Sequence, residues 1–163
     1  MTRPAFKGLL GRASAPWLAA MCLAVLFIWG NSLVPGEGSG AVSLSVVDAL
    51  RGLLDAAGLP SAWVTNLLVR KVAHFSEYAL LGAVAVRAWH PYLPAARPER
   101  LAQAVAAAAV LAFVPVADEC IQLLVPGRCG SVCDVALDWC GALCGALAAY
   151  AASCAGHVKK YSD

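Results

Sequence analysis

The sequence predicts an all-α membrane protein, a four-transmembrane-helix bundle with an extracellular interfacial amphipathic helix. Of its 163 residues, 61% are hydrophobic and 13% are charged, proportions that exclude an ordinary soluble domain. Four apolar segments approach the ~20 residues that cross a hydrocarbon core. These segments are residues 16–34, 72–89, 101–123 and 132–152. We expect them to form one compact bundle without internal repeats.

The chain ends are short and charged, so we expect a single domain between them. The predicted boundaries are a cytoplasmic N-terminal segment at 1–15, a transmembrane domain at 16–154 and a cytoplasmic tail at 155–163. The first apolar run follows basic residues, as the core of a signal peptide does. Because this run continues to Val34 without a convincing small-x-small cleavage site, the sequence favours a retained first helix.

The distribution of Lys and Arg predicts the orientation. With four spans, both termini and the connection at 90–100 lie on one side of the membrane. That side carries Arg3, Lys7, Arg12, Arg87, Arg97, Arg100, Lys159 and Lys160. The opposite side carries only Arg51, Arg70, Lys71 and Arg128. Since positive charge concentrates in cytoplasmic loops, both termini are expected in the cytoplasm.

The extracellular connection at residues 35–69 is long for a bundle of this size. Apolar residues recur in it at helical spacing, at Val46, Leu50, Leu53, Leu54 and Ala57. This spacing predicts an amphipathic helix on the outer membrane surface, ended by Leu59-Pro60 and followed by Trp63 as an interfacial anchor. Its role stays open between a lid over the polar residues at this face and an interfacial packing helix.

Ionisable residues inside the apolar segments are functional candidates, because charge within a membrane is costly. In the predicted topology they all fall near the outer face. The second span contributes Lys71, His74, Glu77 and Tyr78, the third contributes Asp118, Glu119 and Gln122, and the fourth contributes Asp134 and Asp138. Three segments that converge at one depth predict a polar site there.

Small residues and a proline accompany these acids. Gly141 and Gly145 share a helical face with Asp138, and such a pair lets another helix approach closely. Pro115 removes a backbone hydrogen bond three residues before Asp118 and favours a kink. The kink either turns Asp118 inward or serves packing alone.

Pro126-Gly127 predicts a tight turn between the last two spans. Arg128 follows it and is expected to face the acids. Its guanidinium either clamps a carboxylate or phosphate of a ligand, or acts as the counter-ion of Asp134 or Glu119.

Taken together, the motifs resemble the VanZ-like membrane protein family. They are Lys71-Val-Ala-His74-Phe75-Ser-Glu77-Tyr78-Ala-Leu-Leu-Gly82, Asp118-Glu119-Cys-Ile-Gln122, Pro126-Gly127-Arg128, and Asp134 with Gly141 and Gly145. The resemblance covers residues 17–152. Its characteristic polar set would here be Lys71, His74, Phe75, Glu77, Tyr78, Asp118, Glu119, Gln122, Arg128 and Asp134. Asp138 departs from the pattern, in which asparagine is more usual, so this chain carries an additional charge or a protonated carboxylic acid there.

The resemblance implies a protein of the bacterial plasma membrane, in a family linked to decreased susceptibility to teicoplanin-type lipoglycopeptides, with no reaction attached to the fold. One expectation is a binding site for a membrane lipid, a lipid-linked envelope component or a lipoglycopeptide. A second is a membrane-embedded enzyme acting on a lipid-linked envelope substrate. A third is a small proton-coupled transporter, motivated by the carboxylates.

For an enzyme, the candidate catalytic residues are His74, Glu77, Asp118, Glu119 and Asp134. The candidate substrate-binding residues are Lys71, Tyr78, Gln122, Arg128 and Asp138. No serine has an evident base. No cofactor is expected, and the scattered basic residues argue against a nucleic-acid partner.

The cysteines and the histidine at the site bear on metal binding. Seven cysteines, at positions 22, 120, 129, 133, 140, 144 and 154, lack metal-ligand spacing. Those at 133, 140 and 144 are expected to be small packing residues, and a disulfide between Cys120 and Cys129 remains open. Imidazole and carboxylates suit a divalent ion. With His74 as the one histidine at the site, however, a hydrogen-bonded polar network without metal is expected.

Overall fold

The computed structural model of the protein describes residues 14–89 and 97–160. These residues form five helices, which are α1 (Ala15–Ser32), α2 (Gly36–Ala56), α3 (Asn66–Trp89), α4 (Arg97–Leu123) and α5 (Val132–Lys160). No strand occurs in either described range, so the all-α prediction is confirmed. Most of the predicted cytoplasmic N-terminal segment, the connection at 90–96 and the last residues of the tail lie outside the described residues.

Three segments are long and apolar enough to cross a membrane within the described ranges, namely Ala15–Ser32, Leu101–Leu123 and Val132–Ala155. Large apolar side chains on them point away from the protein. On α1, for example, Leu23 and Leu26 are 66% and 65% exposed. Burying such side chains in lipid removes the cost of exposing them to water. The three apolar helices and their exposed apolar side chains therefore indicate a membrane protein.

The predicted second span, residues 72–89, lies within α3 but is not among these three segments. His74, Glu77 and Arg87 interrupt its apolar residues and lower its mean hydropathy. The difference from the sequence prediction has a structural reason. α3 is the central helix, and each of the other four packs against it. It is enclosed from Leu81 onward. Before that, Val72 and Leu80 stay 54% and 60% exposed while His74 and Glu77 are partly buried. A helix that turns its polar residues toward its neighbours can carry them within a membrane.

The most extensive helix contact joins α3 to α5, and glycines allow the two backbones to meet. A Cβ built on Gly82 would overlap the carbonyl of Ala142, and a Cβ on Gly145 would overlap the carbonyl of Ala79. Gly141 also lies against α3 main chain. The predicted close approach at Gly141 and Gly145 is confirmed. It brings the first turns of α5 alongside the first half of α3.

The amphipathic helix predicted within residues 35–69 is confirmed as α2, which starts at Gly36, well before the periodic apolar pattern. It ends at Ala56, ahead of Leu59-Pro60. Gly58 follows with a φ of 70°, and the amide of Leu59 bonds back to the carbonyl of Leu54 at 2.9 Å. A glycine in the left-handed region is a common helix stop.

The predicted Pro126-Gly127 turn packs against the start of α2. The amide of Gly36 donates to the carbonyl of Pro126 at 3.0 Å. Gly127 has a φ of 72°, and its carbonyl leaves no room for a Cβ on Gly36. Two glycines are needed at this crossing. The crossing fixes the α4–α5 connection beside the α1–α2 connection.

All seven cysteines are free and exposed. The interpretation of Cys133, Cys140 and Cys144 as packing residues is wrong, because the side of α5 that contacts α3 is made of glycine and alanine. Cys120 and Cys129 form no disulfide.

Candidate functional site

The polar residues predicted from separate segments meet at one end of the bundle, where α1 and α4 end and α3 and α5 begin. Three of them form its centre, namely His74 on α3, Asp118 on α4 and Asp138 on α5. One ligand atom from each lies within 4.8 Å of the others. His74 Nδ1 is 3.8 Å from Asp138 Oδ1. We call these three residues the inner triad.

The remaining acids of the site each have a partner, and we call them the partnered acids (Glu77, Glu119 and Asp134). Asp134 forms an ion pair with Lys71. The side chains of Lys71 and Asp134 are 36% and 26% exposed, so solvent reaches the pair.

Glu77 and Glu119 are bound by neutral donors. The Asn31 side chain on α1 donates to Glu77 at 3.0 Å. The amide of Ser131, just before α5, donates to Glu119 at 2.7 Å. A carboxylate that accepts amide hydrogen bonds at the beginning of a helix is stabilised by the orphan amides and the helix dipole there.

Gln122 links the acids of α4 to the end of α1. Its side-chain nitrogen lies 3.2 Å from Asp118 Oδ2, 3.3 Å from Glu119 Oε1 and 3.3 Å from the hydroxyl of Ser32. Gln122, Asp118 and Ser32 are all buried. One amide therefore holds two acids from α4 against the end of α1.

Arg128 also binds the end of α1. It donates to the main-chain carbonyls of Asn31 at 2.6 Å and Val34 at 3.0 Å. It is thus not the counter-ion of Asp134, whose partner is Lys71. Burial and the nearby Arg70 lower the pKa of the Arg128 guanidinium from its ordinary value, but an arginine remains a cation at neutral pH.

The inner triad is less well satisfied, because the bond from Gln122 to Asp118 Oδ2 is its one hydrogen bond given by the described residues. Asp118 and Asp138 are completely buried. Among the described residues, neither oxygen of Asp138, nor Oδ1 of Asp118, nor Nδ1 of His74 has a hydrogen-bond partner. Tyr78 is also completely buried; its hydroxyl interacts with Asp118 without a hydrogen bond of normal geometry, and it interacts electrostatically with both aspartates. Buried polar atoms without partners are rare in folded proteins, because each has lost its hydration.

A polar pocket of about 240 Å³ opens beside the triad. Its polar lining comprises Asn31, Ser39, Ser43, Arg70, His74, Glu77 and Arg128. On the other side of His74, a second cavity of about 210 Å³ reaches Lys71 and Asp134. His74, Arg70 and Arg128 line both cavities.

An apolar cleft of about 580 Å³ lies between α2 and α3. It is lined by Val46, Leu50, Leu53, Leu54, Trp63, Val64, Leu68, Val69, Val72 and Ala73. Three of these residues, Val46, Val69 and Ala73, also line the polar pocket. The apolar cleft and the polar pocket are therefore adjacent.

All ten site residues predicted from the sequence lie at this end of the bundle. Sequence reasoning missed Asn31 and Ser32 at the end of the first span, and Arg70 at the pocket wall. The signal for Asn31 and Ser32 was available, since they are polar residues that close an apolar run at the depth of the acids. Nothing in the sequence indicated which donor would bind each acid.

Comparison with known families agrees with the motifs. A family model described as VanZ/LLP1 matches residues 17–153, which is most of the chain. Comparisons with curated proteins and with solved structures give no significant match. The chain therefore belongs to the VanZ/LLP1 family.

Proposed function

We propose that this protein binds an amphiphilic component of the bacterial cell envelope at the outer leaflet, and that it thereby lowers susceptibility to teicoplanin-type lipoglycopeptides. The component is a membrane lipid, a lipid-linked envelope precursor or the lipoglycopeptide. The observation that carries the proposal is the junction of the apolar cleft with the cationic, polar pocket. An amphiphile needs both environments side by side.

The proposal includes a topology of four spans, with α3 as the second span and α2 on the outer surface. The enclosure of α3 by the other helices supports its place in the membrane. The excess of Lys and Arg in the predicted cytoplasmic connections supports cytoplasmic termini in the plasma membrane. In this orientation the pocket and the cleft lie at the outer leaflet, where envelope components are found.

In the binding geometry we propose, an acyl chain occupies the cleft between α2 and α3. Its volume of about 580 Å³ is within the usual range for ligand pockets. An anionic head group then lies near Arg70 and Arg128. Arg128 uses two of its five N–H groups on main-chain carbonyls, so others remain for the head group. Arginine suits carboxylate and phosphate because its donors form a planar fork.

The test is antibiotic susceptibility in a Gram-positive host that expresses the full chain. We expect protection from teicoplanin, which carries an acyl chain, and little protection from vancomycin, which does not. Arg70→Gln should abolish the protection, because it removes a cation from the polar pocket. Arg87→Gln is the matched control, since Arg87 lies on the same helix beside Trp17, outside the polar pocket and the cleft.

Equal amounts of each variant must be measured in the membrane fraction. Protection that persists in Arg70→Gln and in Glu119→Ala would contradict a role for this site. Absence of protection by well-expressed wild-type protein would contradict the link to resistance. Direct binding of a fluorescent lipid to purified protein then separates the amphiphile site from the resistance role.

An alternative is an enzyme that acts on a lipid-linked envelope substrate. The contact of His74 with the buried Asp138 beside an open pocket favours it, because a histidine oriented by a carboxylate is a common general base. Three serines give no support, and the first, Ser43 on the wall of the polar pocket, donates to the carbonyl of Ser39 at 2.7 Å. Ser76 donates to its own helix at the carbonyl of Val72, 2.7 Å away, and Ser131 accepts from the amide of Cys133.

Because these serines are bonded to main chain, the hydrolysis we propose uses water activated by His74. Turnover of envelope lipids by the purified protein, lost in His74→Gln, would favour the enzyme over the binding protein. Proton-coupled transport has less support, because the buried core of the other half of the bundle is mainly apolar, with Leu81, Val84 and Ala85 among its residues.

A further inference from the structure

The inner triad presents donors to a common centre from three helices. One donor atom each from His74, Asp118 and Asp138 lies within 4.8 Å of the other two. Two donors that each lie about 2.1 Å from one metal ion are at most about 4.2 Å apart. The 4.8 Å bound exceeds this limit by about 0.6 Å, whereas the 3.8 Å between His74 Nδ1 and Asp138 Oδ1 is within it. A small side-chain rotation closes the remainder.

The same atoms are buried without partners, which is an independent observation. Both oxygens of Asp138, one of Asp118 and Nδ1 of His74 have no hydrogen bond to any part of the chain that the structure describes. The two aspartates are completely buried. An uncompensated carboxylate in such a position is strongly unfavourable. The triad therefore needs positive charge from elsewhere.

No described cation forms a hydrogen bond or an ion pair with the aspartates of the inner triad, and Arg70 lines the adjoining cavities. Lys71 is paired with Asp134, and Arg128 donates to two main-chain carbonyls. Protonation of Asp138 removes its charge and, with a similarly small rotation, gives its hydroxyl the Nδ1 of His74 as an acceptor, but it leaves Oδ1 of the buried Asp118 without a partner. A bound cation removes the charge and gives a partner to all three residues at once.

We propose that His74, Asp118 and Asp138 bind a divalent metal ion. One imidazole nitrogen and carboxylate oxygens suit Zn²⁺, a borderline ion, and also the harder Mn²⁺. Two ionised aspartates and one divalent ion form a neutral unit, which a buried site tolerates. Because His74 also lines the polar pockets, open coordination positions face the space offered to a ligand.

This proposal replaces the expectation, based on the sequence, of a polar network without metal. The sequence places one of its three histidines, His74, among the acids of the site, and does not show that Glu77, Glu119 and Asp134 have other partners. Once these acids are assigned, three unpartnered donors remain. The metal site goes beyond the proposed function and stands or fails separately from it.

The experiment uses full-length protein purified in detergent without a histidine tag and treated with chelator. Mn²⁺ is the probe, because its free aqueous form gives an electron paramagnetic resonance signal that decreases on binding. It also favours oxygen and nitrogen donors over thiolates, so the seven exposed cysteines compete little. We expect about one Mn²⁺ per chain, displaced by Zn²⁺.

Asp118→Asn and Asp138→Asn should each weaken binding by at least about tenfold. Asp134→Asn is the matched control, since it changes the same residue type one turn away on α5 and should keep the ion. Folded wild-type protein that binds neither Mn²⁺ nor Zn²⁺ overturns the proposal, as does binding that both Asn variants retain in full. If the Asn variants do not fold, His74→Gln supplies the same comparison at a partly exposed position.

Discussion

Asp134 and Asp138 lie one helical turn apart on α5, and the fold treats them in opposite ways. Asp134 is 26% exposed and paired with Lys71, whereas Asp138 is completely buried and has no hydrogen-bond partner among the described residues. The same contrast recurs on α3, where Glu77 accepts a bond from Asn31 and Nδ1 of His74 accepts none. The chain satisfies the partnered acids itself.

The contrast shows where a ligand is needed. The partnered acids hold α1, α3, α4 and α5 together at one end of the bundle, which is a structural role. The inner triad is left with free donor atoms at the same depth. A site that binds a ligand must keep interactions unused until the ligand arrives. Among the described acids, Asp118 and Asp138 of the triad have buried oxygens without a partner.

The largest expected effect comes from forcing apart α3 and α5, two helices that each carry a member of the inner triad and one of the partnered acids. Gly145→Ala places a Cβ against the carbonyl of Ala79. Because main chain cannot move aside easily, we expect the free energy of unfolding to fall by about 1–3 kcal/mol. Thermal unfolding in detergent measures the change.

Gly30→Ala is the control for that substitution, since nothing lies within 4 Å of a Cβ at this helical position. Alanine there should be neutral or should stabilise α1 by up to about 1 kcal/mol. Equal losses in the two variants would contradict the overlap at the α3–α5 contact as the cause, because helix propensity alone favours alanine at both positions.

Substitution of the two aspartates of α5 should change the stability of the protein in opposite directions. In metal-free protein, Asp138→Asn should raise the free energy of unfolding by about 1–2 kcal/mol, because it removes a buried carboxylate without a partner. Asp134→Asn should lower it by up to about 1 kcal/mol, because it breaks a partly exposed ion pair.

The signs of the two changes are the decisive readout, and both variants conserve side-chain size. A loss of stability in metal-free Asp138→Asn would mean that the chain itself stabilises this carboxylate. With Mn²⁺ present, the wild-type protein should instead have a higher free energy of unfolding than Asp138→Asn, since it gains binding energy that the variant lacks.

A smaller effect is expected at the edge of the partnered group. Asn31→Ala removes the donor to Glu77, and should lower the free energy of unfolding by about 1 kcal/mol. Adding Glu77→Gln should recover part of the loss, because a neutral amide is less costly to leave unpaired than a carboxylate. Ser45→Ala, which removes an exposed bond within α2, should be neutral.

Several features were predictable from the chain alone. Alternation between apolar runs and turn residues predicts the helices, and the glycine spacing predicts the close approach of α5 to a neighbour. The acids were predictable as a site because they fall at one depth in three segments. The hydropathy of α3 is ambiguous by itself, since its polar residues are acceptable only in a helix that its neighbours enclose.

Other features depend on distances between helices. The cysteines of α5 share a helical face, and periodicity does not say whether that face meets protein or lipid. Arg128 was expected beside the acids, but its donors find carbonyl oxygens at the end of α1. Such choices depend on atoms far apart in the sequence.

The sequence by itself determined the helical class, the apolar exterior and the level at which polar groups collect, because these follow from composition and local periodicity. Only the tertiary structure decided which acid meets which donor. Asp134 and Asp138 lie one helical turn apart on the same face of α5. Lys71 nevertheless pairs with Asp134, whereas no described donor bonds to Asp138. Pairing depends on the packing of α3, α4 and α5, and that packing separates the residues that build the bundle from those left free to bind a ligand.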